Sequence, residues 1–208
     1  MSESNNLPAL SQHTQLFVRQ VHELAELFGF ETRNKYEISD DKRSTVAYAA
    51  EQQKGIFGFL FRQFLGHWRK YEVMFFTPSR EPFFKAHHPF RFIFHRFEVM
   101  DNYGHLLGVI QQRFSILTKR FDVQTAQGMT LMEVSSPIWR IWTFPFVGYG
   151  RERAVVSKKW GGVLTEIFTD KDTFMIEFKD QTLSENERKL VLAASVFIDM
   201  KYFEIKAD

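Results

Sequence analysis

The chain has 208 residues and no cysteine, 24 Phe and four Trp, a formal net charge of +2 and a pI near 8.8. Without cysteine there is no disulfide or thiolate chemistry, which fits a reducing compartment. A positive charge this mild does not announce a nucleic-acid binder, for which a concentrated basic face would be expected. The length suits one globular domain with a sizeable, unusually aromatic core.

The first eleven residues are polar and lack the charged and then apolar regions of a signal peptide. Residues 1–11 therefore read as a flexible N-terminal tail, residues 12–208 as a single domain, and the protein as cytoplasmic. No spacer rich in Pro, Gly or Ser divides the chain, and no repeat of fixed period is found.

From Leu16 onward, period-two runs recur: Tyr36 and Ile38; Tyr71, Val73 and Phe75; Phe97 and Val99; Phe121 and Val123; Phe174, Ile176 and Phe178. Such alternation predicts half-buried strands. Between many of them stand short turn signals at 40–41, 77–79, 101–104, 127–128 and 148–150, and tight turns join antiparallel neighbours. The count of about twelve strands predicts a closed meander.

Residues 184–187, Ser-Glu-Asn-Glu, have capping-box spacing and open the last element, a helix apolar on all sides. Its apolar run, 190–203, rises only about 21 Å against a hydrocarbon core of about 30 Å, and it contains Asp199 and Lys201. A helix of that kind is expected inside the protein, and a barrel around it satisfies both its surface and the strand edges.

The segments 20–38 (QVHELAELFGFETRNKYEI) and 157–178 (SKKWGGVLTEIFTDKDTFMIEF), followed by the final apolar helix, resemble the phospholipid scramblase family, within the wider group of Tubby C-terminal and LURP-one-like domains. The resemblance spans nearly the whole chain from about Gln15. It implies a mainly β fold, a closed antiparallel twelve-stranded Tubby-like barrel around the buried C-terminal helix. It also implies a membrane-associated phospholipid-binding protein, peripheral to the membrane and aiding transbilayer lipid movement. The chain departs from these relatives in two respects, lacking their cysteine clusters and their Pro-rich N-terminal arm.

Where the cysteine clusters would fall the chain carries Phe-rich segments, 55–68 and 88–97. If 55–68 is helical, Phe57, Leu60, Phe61, Phe64, Leu65 and Trp68 share one face while Arg62, Gln63, Arg69 and Lys70 occupy the other. That is the composition of an interfacial helix, or of a helix packed on the barrel wall. In a meander, successive connections alternate between the two ends. Residues 51–69, 88–94, 113–118 and 160–172 are thus expected to share an end, gathering Phe57, Phe61, Phe64, Trp68, Phe90, Phe114 and Trp160. The candidate lipid-binding set is Phe57, Phe61, Arg62, Phe64, Trp68, Arg69, Lys70, Phe90, Lys158 and Lys159, and its expected partner an anionic phospholipid surface. The basic members also suit solvated strand edges.

Residues 170–178 occupy the place of the family's proposed calcium segment. Asp170 and Asp172 are weak candidate ligands, with Glu177 or Asp180 as supplements; an Asp-rich turn is the alternative. The family's terminal acid is replaced by Gln181, one residue after Asp180. His87, His88 and His95 form a histidine cluster without an evident fourth zinc ligand. No nucleophile elbow, Walker loop, dinucleotide fingerprint or zinc-protease helix is present, so no conventional enzyme is expected. Two other functions remain open: a soluble interaction or regulatory module that uses the aromatic end on a protein partner and, by family analogy only, DNA binding.

Overall fold

Alternating apolar residues build a barrel whose inner face is continuous from strand to strand. The structure is a computed structural model and describes residues 8–21, 34–52, 70–90, 94–140, 142–158 and 173–203. Its strands are β1 (Gln15–Gln20), β2 (Lys35–Ser39), β3 (Thr45–Gln52), β4 (Tyr71–Phe76), β5 (Pro82–His88), β6 (Arg96–Asp101), β7 (Leu106–Gln112), β8 (Thr118–Thr125), β9 (Thr130–Pro137), β10 (Thr143–Gly148), β11 (Arg151–Lys158) and β12 (Thr173–Phe178). One helix follows, α1 (Glu185–Tyr202). Each strand pairs antiparallel with its sequence neighbours, and β1 closes the barrel on β12. The expected twelve-stranded barrel around a C-terminal helix is the observed fold.

The register keeps one ring of inward residues in step. Ile176 faces Leu16 and Val156, Val18 faces Phe174 and Ile38, Phe75 faces Ala49 and Phe84, and Val99 faces Ala86 and Gly108. A slip of one residue would turn this whole set to the outside, so burial of the inner face fixes the pairing.

The helix fills the barrel. Leu190, Val191, Leu192, Val196, Phe197 and Ile198 are buried, and each such side chain contributes roughly 1.5–3 kcal/mol on leaving water. Phe197 meets Phe97 and Phe121 with centroids 5.9 and 5.7 Å away. Gly108 lets the helix approach the wall: a Cβ there would lie 2.4 Å from the Gln124 carbonyl oxygen and 2.8 Å from Leu190 Cδ1. The capping box forms as expected, Ser184 accepting from the Glu187 amide while the Glu187 carboxylate accepts from the Ser184 amide. No helix among the described residues is long and apolar enough to cross a membrane.

The expected tail of residues 1–11 gives way to packed structure before its end. Leu10 is fully buried, and the amides of Leu10 and Ser11 donate to the Glu185 carboxylate at the start of α1. Leucine has an apolar site to fill there, and the helix N-terminus supplies the acceptor.

Connections alternate between the ends. Four hairpins at one end, the turn end, repeat a single five-residue turn beginning at Asp40, Thr77, Asp101 and Thr125. In each, the first residue's amide donates to the fifth residue's carbonyl and the fourth residue's amide donates back to the first. The fourth positions, Arg43, Arg80, Gly104 and Gly128, all have positive φ. The first residue's side chain accepts from the fifth amide, as Asp101 does from His105 at 2.8 Å. This recurring geometry is carried by Asp or Thr at the first position rather than by a sequence repeat.

Candidate functional site

The opposite end, the loop end, receives the longer connections: 21–34, 53–70, 89–95, 113–117, 138–142 and 159–172 join strand termini there, and α1 finishes there. Three neighbouring connections expose large apolar side chains. Phe90 and Phe94 stand between β5 and β6, Phe114, Ile116 and Leu117 between β7 and β8, and Ile138 and Trp139 between β9 and β10. Phe114, Ile116 and Trp139 are each more than 70% exposed, at 72%, 78% and 71%. The loops touch one another: the Phe94 and Phe114 rings meet edge to face at 6.5 Å, and the Ile138 amide donates to the Leu117 carbonyl at 3.1 Å. A continuous exposed apolar rim of this kind marks an interaction surface.

Of the lipid-binding candidates, Lys70 is exposed at the entry to β4, Phe90 is on the rim, and Lys158 is at the end of β11. Phe57, Phe61, Arg62, Phe64, Trp68, Arg69 and Lys159 lie outside the described residues, as do Asp170 and Asp172. Lys158 is not a simple solvated edge residue, because its Nζ stands 5.7, 5.5 and 5.0 Å from the ring centroids of Trp142, Phe174 and Phe203. Lys119 reaches Phe203 from 5.4 Å, and Trp142 stacks on the same ring at 5.1 Å. Two ammonium groups thus gather at the helix C-terminus, where cations are favoured by its carbonyl dipoles. Burial pushes the Tyr202 phenol up to about 12.

Below the rim, two of the three clustered histidines come together. His88 Nε2 and His95 Nδ1 are 2.8 Å apart, and Tyr71 stacks on His88 at 4.6 Å. No group of three or more His, Cys, Asp or Glu arranged to hold a metal occurs among the described residues.

The supplementary calcium ligand expected at Asp180 is corrected by the fold. Strand β12 is six residues long and carries the chain roughly 20 Å from the loop end to the turn end. Asp180 therefore follows the far end of the strand that Asp172 precedes. Its carboxylate accepts from Arg151 at 2.8 Å and from Arg153 at 2.9 Å, and also from Thr182. The Thr182 hydroxyl, then Arg153, hold its pKa well below the usual carboxylate range. A carboxylate engaged by two guanidinium groups is not an available calcium ligand, so the described residues do not fit a single metal loop spanning 170–180. Glu177 points outward as alternation requires and faces Val155 and Gln15 across the sheet.

The rim residues missed by sequence reasoning are Phe94, Ile116, Leu117, Ile138 and Trp139. Their apolar character alone reads as core; only their position between strand termini at one end indicates exposure. A groove of about 460 Å³ on the outer wall, between β9 and β10, is lined by Leu131, Glu133, Pro145, Val147 and Tyr149 without converging charged or nucleophilic groups.

The family model described as Scramblase matches residues 1–205. Human phospholipid scramblase 1 is 28% identical over 213 residues, an alignment covering 95% of this chain and 65% of that protein. Phospholipid scramblase 2 from Bos taurus is 25% identical, with 96% and 71% covered. A phospholipid scramblase family protein of Schizosaccharomyces pombe is 24% identical, and the chain spans only 52% of its length. Among solved structures, an Arabidopsis thaliana protein superposes with a TM-score of 0.52 over 93% of this chain and 96% of its own; at 9% identity the likeness concerns the fold alone.

Proposed function

This chain belongs to the scramblase family, and from that premise we propose that it is a peripheral phospholipid-binding domain whose loop end meets an anionic bilayer, where it aids movement of phospholipid between leaflets. The observation that carries the reading is the exposed apolar rim formed by Phe90, Phe94, Phe114, Ile116, Leu117, Ile138 and Trp139. A fully inserted Phe, Leu or Ile contributes roughly 1.5–3 kcal/mol, and a Lys or Arg near an anionic surface about 1 kcal/mol. Partial insertion of three or four such side chains is enough for reversible attachment.

Co-sedimentation with vesicles of phosphatidylcholine, with and without phosphatidylserine, tests attachment. Binding to the anionic vesicles that weakens with salt is the expected result. Accessibility of a labelled lipid to an outside reductant, followed after the protein is added, tests movement between leaflets. If neither vesicle retains the protein, the rim belongs to an interface with another protein, a use that its Trp and Phe side chains also suit.

A further inference from the structure

Phe94, on the rim, has a φ of 57°, in the left-handed region that a bulky side chain seldom occupies. Its ring is exposed and meets Phe114 of the next connection edge to face. A backbone held in that region persists only where its surroundings over-determine it. The residue that follows supplies the constraint. The His95 amide donates to Gln112 Oε1 at 3.0 Å, and the His95 carbonyl accepts from the Gln112 amide at 2.8 Å. Its Nδ1 lies 2.8 Å from Nε2 of His88, a fully buried side chain at the end of β5. The amide ties do not titrate, whereas the tie between imidazoles does.

A hydrogen bond between two imidazoles needs one unprotonated nitrogen. One added proton preserves it, since an imidazolium can donate to an imidazole; a second sets two N–H groups and two positive charges face to face. The pair titrates as a unit, so the bond is present at neutral pH and lost as pH falls below the ordinary imidazole value of about 6.5. On β4, Tyr71 stacks on His88, and Glu72 is paired with Lys85. On β5, His87 stands opposite Glu72 and Glu98, and on β6, Arg96 is paired with Glu98. Strand β7 offers the neutral amides of Gln111 and Gln112. Helix α1 has Asp199 engaged by Tyr36 and brings Lys201 one turn beyond Phe197, the residue that packs on Phe97. A cation on that face adds to the repulsion within a doubly protonated pair.

We propose that the His88–His95 hydrogen bond is an acid-sensitive latch for Phe94. Closed, it holds the ring on the rim; with both imidazoles protonated it opens, Phe94 relaxes to an ordinary φ and leaves Phe114, and attachment to the bilayer weakens. The proposal rests on the lipid-binding reading and assigns a regulation to that surface.

Two isosteric changes separate the bond from its titration. His95→Asn keeps an acceptor near the Nδ1 position and His88→Gln a donor near the Nε2 position, so the doubly substituted protein should keep the tie at either pH. Ring-to-ring nuclear Overhauser contacts between Phe94 and Phe114 read the latch directly. They should be present at about pH 7.5 and lost by about pH 5 in wild type, and present at both in the double variant. Vesicles of phosphatidylcholine with phosphatidylglycerol, whose charge is constant over this range, read attachment. Wild type should bind about fivefold more weakly than the double variant at the acid pH and equally at the neutral one. Simple attraction to the anionic surface gives the opposite sign, because protonation of His88 and His95 adds positive charge to wild type alone. Ring contacts that survive acid in wild type, or vanish in the double variant, overturn the latch. Ring contacts that respond while wild type binds at acid pH as tightly as the double variant overturn its control of attachment. If no vesicle retains the protein at either pH, the lipid-binding reading falls, and the ring contacts still decide the latch. Should the double variant lack a thermal transition, His95→Asn alone serves, because a His88 N–H can donate to the introduced amide oxygen whether or not its ring is charged.

Discussion

The Arg188 guanidinium donates from Nη1 to the Leu10 carbonyl at 3.1 Å, tying the first turn of the core helix to a residue 178 positions earlier. The same side chain donates to the carbonyls of His13 at 2.7 Å and Leu183 at 3.2 Å and to Gln181 Oε1 at 3.2 Å, and its charge lies over the Phe178 ring. A fully buried arginine thus closes the turn end with neutral acceptors. Burial lowers its pKa, but arginine remains charged throughout the accessible range.

Arg188→Met should therefore destabilise the fold by about 3 kcal/mol, because several buried carbonyls lose their donor at once. Arg188→Lys should recover little, since one ammonium cannot reproduce the fork that reaches four acceptors. Denaturant unfolding measures both variants. Limited proteolysis should cut the mutants first near residues 8–14, the segment that Arg188 holds.

Val196 is fully buried at the centre of α1. Val196→Asp should abolish folding, since an unpaired carboxylate there has neither water nor a counter-charge and costs several kcal/mol. The expected result is loss of the thermal transition and of soluble expression. A helix that instead reacted with lipid-soluble labels in a protein requiring detergent would lie outside the barrel.

Asp180 gives the protein a defined acid response. Its folded pKa is depressed, so its contribution is fully present above the unfolded carboxylate value near about 3.9 and is lost as pH falls from there through the folded value. Asp180→Asn should lower the thermal midpoint at pH 7 and flatten its decline between about pH 5 and pH 2. Calorimetry with calcium should give a dissociation constant no tighter than about 100 µM, because Asp170 and Asp172 lack the help of Asp180. Tight binding abolished by Asp170→Asn with Asp172→Asn would overturn this.

The turn repeat predicts a stabilising change. Arg80 is exposed and adopts a φ of 69°, a conformation that costs a non-glycine side chain roughly 1–2 kcal/mol. Glycine relieves that strain but loses more chain entropy on folding, so Arg80→Gly should gain about 0.5 kcal/mol net. A thermal midpoint raised by roughly 1–2 °C is the measurable result.

The barrel was legible because its inner face is written in period two: Val73 with Phe75 and Ile176 with Phe178 announce strands without knowledge of their partners. The core helix was legible from its cap and its apolar circumference. The ties of Arg188 to Leu10 and His13 and the Tyr36–Asp199 hydrogen bond were not, because these partners lie 163 to 178 positions away. Asp180 is near Asp172 in sequence but not in space: the alternating strand at 174–178 was legible, yet its six residues carry Asp180 to the opposite end of the barrel from the start of β12. The rim was half legible. Phe90 and Phe114 follow from alternating connections, whereas Ile116, Leu117, Ile138 and Trp139 carry no local sign distinguishing an exposed apolar residue from a core one.

Phe57, Phe61 and Phe64 belong to the connection between β3 and β4, which joins strand termini at the loop end and carries no acid. Replacing all three with Ser should weaken binding to phosphatidylserine vesicles by roughly 30- to 100-fold, the equivalent of inserting about a third of each side chain. The thermal transition should stay within a few degrees of wild type, because the inner face of β3 and β4 is supplied by their own strands: Ala47 and Ala49 on β3 and Val73 and Phe75 on β4 belong to the buried core. The two readouts separate the alternatives for this Phe-rich segment. A variant that keeps its vesicle affinity places the three side chains away from the bilayer, and a variant that loses its thermal transition identifies them as packing against the barrel wall.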